Sequence, residues 1–72
     1  MSNHINLIED YLDTNRVEYQ SIQNIIEIYS LENDLILIGI NKDRILIKTQ
    51  EQEYFFYDVN NDFFEKLEKL IF

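Results

Sequence analysis

Over residues 35–48, LILIGINKDRILIK, two runs of alternating branched aliphatics are separated by the polar Asn41-Lys42-Asp43. That pattern predicts a β-hairpin. In the first arm, 35–40, Leu35 and Leu37 point one way and Ile36, Ile38 and Ile40 the other, so both faces are apolar and the strand is expected at the centre of a sheet. Gly39, the one glycine of the chain, falls inside this arm, where a glycine marks a bulge or a close neighbour more often than a binding loop. The second arm, 44–49, sets Ile45 and Ile47 on one face against Arg44, Leu46 and Lys48 on the other. A polar turn at 50–52 leads to a further strand, 53–59, in which Tyr54, Phe55, Phe56 and Tyr57 supply aromatic rings to both faces.

Helical spacing brackets this block. Asn3 is placed to cap a helix running to about Asp13, with Ile5, Ile8 and Leu12 on one face and Leu7 and Tyr11 flanking it. At the other end Asp62 and Glu65 form an acidic variant of the capping box, ahead of the stripe Phe63, Phe64, Leu67, Leu70 and Ile71. Lys66 and Lys69 suit the C-terminal half of that helix, and Glu65 can pair with Lys69. Residues 14–24 read as a connection with an extended piece at Val17 to Tyr19. The segment after it fits two periods. Ile22, Ile25, Ile26 and Tyr29 match a helix capped by Ser21, whereas the short, β-branched IIEIYSL favours a strand over 25–31, ahead of the turn-like Glu32-Asn33-Asp34.

The pattern therefore predicts one α+β domain over residues 1–72: a small antiparallel β-meander of about four strands, flanked by an N-terminal and a C-terminal helix. Two arrangements remain open. If both helices cover one face, the other face carries apolar and aromatic side chains that a homodimer or a partner protein would have to cover. If they sit on opposite faces, both are closed.

Size and charge narrow the function. A chain of 72 residues buries a small share of its surface and is not expected to enclose a large apolar pocket. Cysteine is absent, which excludes a disulfide framework, a thiolate nucleophile and a cysteine-ligated metal. No signal-like leader or membrane-length apolar run is read, so the expectation is a cytoplasmic protein, in the host-cell cytoplasm if phage-encoded, with no membrane partner. Fourteen acids against six bases give a net charge of −8, which repels phosphate backbones and disfavours direct nucleic-acid binding. Residues 1–34 hold seven of those acids and one base, Arg16.

Candidate chemistry is sparse. His4, the single histidine, has no cysteine or second histidine to build a zinc site or a triad with. Asp58, Asn60 and Asp62 imitate the start of a calcium loop, but Phe63 stands where glycine is required and Lys69 where a bidentate Glu is required, so they read as a turn and helix cap. Glu9 or Asp10 with Asp13 can pair carboxylates on one helix face, without a cleft to shift a pKa. Lys42, Arg44 and Lys48 form a basic cluster too small for a nucleic-acid site. No catalytic, cofactor-binding or metal-binding residue is assigned, and an enzyme is not expected.

What stands out is acidity with tyrosine beside it: Glu9, Asp10, Asp13, Glu18, Glu27, Glu32 and Asp34, accompanied by Tyr11, Tyr19 and Tyr29. Carboxylates on a rigid domain can occupy the Lys and Arg sites that a basic, nucleic-acid-binding protein uses for phosphates, and tyrosine adds contact area at low entropic cost. In size and character the chain resembles the small acidic proteins by which phages block CRISPR effectors, restriction enzymes and other defences, some of them DNA mimics. That likeness is one of kind and attaches to no motif. It implies a non-enzymatic inhibitor of a basic, nucleic-acid-binding partner. The alternative is a structural or antitoxin-like module that dimerises through its sheet, with acidity serving solubility.

Overall fold

Isoleucine at every second strand position decides the architecture. Ile26 and Ile28, Ile36 and Ile38, and Ile45 and Ile47 are all fully buried, and their β-branched side chains suit a pleated surface packed on one side. The computed structural model describes residues 4–29, 35–42 and 44–72. Its elements are α1 (His4–Thr14), β1 (Tyr19–Ile22), β2 (Ile25–Ile28), β3 (Ile36–Ile40), β4 (Ile45–Lys48), β5 (Glu53–Phe56) and α2 (Asn61–Ile71). The five strands form one sheet in the order β1-β2-β3-β4-β5, each antiparallel to the next. The α+β meander between two helices is as the periodicity predicts, with five strands where about four were expected.

The extra strand is β1, which lies in the stretch read as a connection. It pairs with β2 from Tyr19 opposite Ile28 to Ile22 opposite Ile25, so Gln23 and Asn24 make a two-residue hairpin loop. Gln23 adopts φ 53°, a backbone position that such loops ordinarily give to Gly, Asn or Asp. The 22–29 ambiguity resolves as strand because Ile26 and Ile28 face the core while Ile25 is exposed, a period of two and not of 3.6. Residues 30 and 31 of the expected strand, the Glu32-Asn33-Asp34 turn, Asp43 and the Asn3 cap lie outside the described residues.

Both helices lie on the isoleucine face. Ile8 and Leu12 of α1 and Phe63, Leu67 and Ile71 of α2 join the six buried isoleucines in one core. The helices also meet each other, with the Tyr11 ring stacked 4.7 Å from that of Phe64. On the β5 side, Phe63 meets Phe56 edge to face at 5.3 Å and the Lys66 ammonium sits 4.5 Å from the centre of the Tyr54 ring.

Local chemistry sets where the helices stop. Val17 N donates to Leu12 O and Arg16 N to Asp13 O, a Schellman closure with Arg16 in the left-handed position at φ 57°. At the start of α2 the cap is Asn60, whose Oδ1 accepts from Phe63 N at 3.1 Å. Asp62 lies in the first turn, so the Asp62 and Glu65 capping box does not form. Two Asx residues two positions apart offer the same acceptor, and the extended backbone of Asn60, φ −129°, selects it. Gly39 marks neither a bulge nor a close neighbour: it keeps regular register with Ile25 and Leu46, and a Cβ placed there would meet nothing within 4 Å.

Candidate protein-interaction surfaces

Turning Ile8 and Leu12 of α1 into the core forces the intervening carboxylates outward along the helix edge nearest β1. Glu9 accepts a hydrogen bond from the Ser21 hydroxyl, and Asp13 accepts one from the Tyr19 hydroxyl. Both bonds tie the helix to the edge strand. Tyr19 ionises above the ordinary 10.0, first because burial disfavours the phenolate, then because of the Asp13 hydrogen bond and the negative charges of Asp13, Glu9 and Asp10. All three carboxylates act on this phenol through their charge, and α1 itself holds no Lys or Arg, although Arg16 follows just beyond its end. Asp13, in the last turn of α1, opposes the helix dipole, where negative charge costs roughly 0.3–1 kcal/mol, whereas Glu9 sits at mid-helix.

The remaining acidic and tyrosine candidates go elsewhere. Glu18 is exposed ahead of β1, and Glu27 belongs to the sheet face turned away from the helices. Tyr29 follows β2 and is exposed. Tyr11 is held in the seam between the helices, where burial and then the charge of Glu68 raise its pKa. Glu32 and Asp34 lie outside the described residues. The acidic surface drawn from sequence therefore divides, and its compact part is Glu9, Asp10 and Asp13 around Tyr19. Ser21 entered the sequence reading only as the cap of an alternative helix, because only the pairing of β1 under α1 reveals its bond to Glu9.

The sheet's second face is a different kind of surface. One row across all five strands reads Ile22, Ile25, Gly39, Leu46, Phe55, and the next reads Gln20, Glu27, Leu37, Lys48, Glu53. Ile22 is 47% exposed, Ile25 45% and Phe55 56%. Leu37 and Leu46 are half-buried among their neighbours. Among the described residues nothing packs over this face, and a depression of about 280 Å³ lies beside Gly39, between Ile25 and Leu46. Its charges balance: Lys48 sits 3.9 Å from Glu53, and the Arg44 guanidinium lies 5.7 Å from the centre of the Phe55 ring.

Among the described residues no three His, Asp or Glu side chains are grouped to hold a metal ion, and no helix is long and apolar enough to cross a membrane. His4 Nε2 lies 3.5 Å from Asp58, while Asp58 also accepts from Val59 N and so shapes the turn before α2. No family model, curated protein or solved structure matches the chain significantly.

Proposed function

We propose that this chain is a non-enzymatic inhibitor that presents Glu9, Asp10 and Asp13 to a basic, nucleic-acid-binding partner protein and occludes its nucleic-acid site, in the manner of a phage counter-defence protein or DNA mimic. The observation that carries the reading is the fixed carboxylate edge of α1, a helix that holds no Lys or Arg. It is anchored by two fully buried side chains, Ile8 and Leu12, and by hydrogen bonds to β1. Its Asp13 also stands in the last turn, where the helix dipole makes negative charge unfavourable. Charge kept at a local cost is better explained by a cationic partner than by helix stability.

The test is capture by the tagged protein from a bacterial lysate, with elution by salt and by competing duplex DNA. A basic nucleic-acid-binding protein should be held at low salt, be displaced by both, and be lost when Glu9, Asp10 and Asp13 are all changed to Lys. Retention that survives high salt, or that the triple variant keeps, refutes the reading. A second reading, a self-associating structural or antitoxin-like module, is favoured by the uncovered apolar face. The mass of the untagged chain in solution decides it.

A further inference from the structure

We infer that the open sheet face pairs with a second copy of this chain about a two-fold axis running along β3, in register. The inference rests on the self-association reading and adds to it an orientation. In such a pair each strand lies over its mirror position in the partner: β1 over β5, β2 over β4 and β3 over β3. The apolar row then meets itself, with Ile25 opposite the partner's Leu46, Ile22 opposite the partner's Phe55, and the gap at Gly39 on the axis. In the neighbouring row Glu27 meets the partner's Lys48, Gln20 meets the partner's Glu53, and Leu37 meets its own copy. Two sheets stacked this way keep their strands within about 30° of each other, the ordinary angle of aligned packing.

The competing two-folds are worse. An axis across the strands through the apolar row brings Lys48 opposite the partner's Arg44. Moving that axis between the rows lays Ile25 on the partner's Glu27 and Leu46 on the partner's Lys48. Of the three, the axis along β3 matches the apolar row with itself and sets Glu27 against the partner's Lys48, leaving Gln20 against the partner's Glu53 as a neutral-to-acid contact, the self-complementarity such an interface requires. Electrostatics favours this side of the molecule as well. The chain carries −8, yet on this face Glu27 and Glu53 are offset by Arg44 and Lys48, and the acids of α1 point away from it. Five strands of about four residues give a footprint of roughly 24 by 14 Å, extended at its ends by the exposed Tyr29 and Tyr57. At roughly 340 Å² a side that is below the roughly 800 Å² per partner of a standard interface, so association weaker than about micromolar is expected.

Charge exchange tests the orientation, with sedimentation equilibrium as readout and circular dichroism to confirm that each variant is folded. Glu27→Lys alone, or Lys48→Glu alone, places like charges opposite each other twice per dimer and should weaken association by at least about tenfold. For Glu27→Lys the loss is the more telling, because that change lowers the net charge and by itself would ease association. The double variant, and an equimolar mixture of the two single variants, restore opposite charges in both contacts and should re-form a dimer. A wild-type dimer that the single changes leave intact, or that neither combination rescues, overturns the orientation while leaving self-association standing. A wild-type chain that stays monomeric at its highest soluble concentration overturns both.

Discussion

Adjacent residues on β3 provide the sharpest test of a sheet covered on one side only. Ile38 is fully buried against the helices, while Leu37 looks out from the other face, half-buried by its neighbours alone. Truncating a buried isoleucine to Ala costs about 2–5 kcal/mol, the lost transfer energy plus the cavity left behind. A chain of this length is expected to hold about 4–11 kcal/mol in all, so Ile38→Ala should remove a large part of it. Leu37→Ala removes a side chain over which none of the described residues packs, and should cost about 1 kcal/mol or less. Urea denaturation followed by far-ultraviolet circular dichroism at dilute protein measures both. With a slope near 1 kcal/mol per molar urea, the midpoint should fall by roughly 2 M or more for Ile38→Ala and by less than about 1 M for Leu37→Ala. Raising the protein concentration should stabilise the wild type more than Leu37→Ala, because association adds to apparent stability only where the face is intact. Equal losses in dilute solution would refute the reasoning, since Leu37 would then be as deeply packed as Ile38.

Three further outcomes follow from local chemistry. Tyr11 and Tyr19 ionise above 10.0 in the folded chain, so the stability their neutral phenols contribute is whole below pH 10 and is lost as the pH climbs through the raised values; in an absorbance titration Asp13→Asn should bring the Tyr19 transition down. Asn60→Ala should destabilise by about 0.5–2 kcal/mol in urea and Asp62→Ala by clearly less, because Asn60 is the residue that caps α2; the reverse order would contradict the cap. Gln23→Gly should stabilise by roughly 1 kcal/mol, by relieving a left-handed backbone that a side chain disfavours, and an unchanged midpoint would count against strain at that turn.

The helices and the central hairpin were legible because their periods are unmixed. Phe63, Leu67 and Ile71 repeat at helical spacing, and Ile36 to Ile40 alternates beside Ile45 and Ile47. β1 was not legible. As an edge strand it turns little into the core, Gln20, Ser21 and Ile22 all being exposed, so its sequence lacks the alternation a half-buried strand shows. Its turn hides too, since Gln23 and Asn24 offer no glycine to announce a hairpin. The candidate site shared that fate. That Glu9, Asp10 and Asp13 lie on one helix is plain from spacing, but the meeting of Glu9 with Ser21 and of Asp13 with Tyr19 needs β1 to run beneath α1. The choice between helices on one face or on both was likewise beyond periodicity, because strands with two apolar faces suit either arrangement.

The two surfaces obey opposite electrostatic rules, which allows them to be told apart without knowing the partner. Two chains of charge −8 repel at long range, so association through the balanced sheet face has to overcome that field by apolar contact. Added salt shortens the reach of the repulsion, to about 8 Å at physiological ionic strength, and should therefore strengthen self-association. Binding of a cationic partner to the α1 edge draws its speed and specificity from the same field, and salt should weaken it. The pairing about β3 leaves both α1 edges on the outside of the dimer, so one event does not block the other. Self-association that weakens steadily with salt would mean that attraction between unlike charges, and not the Ile22–Phe55 row, holds the copies together.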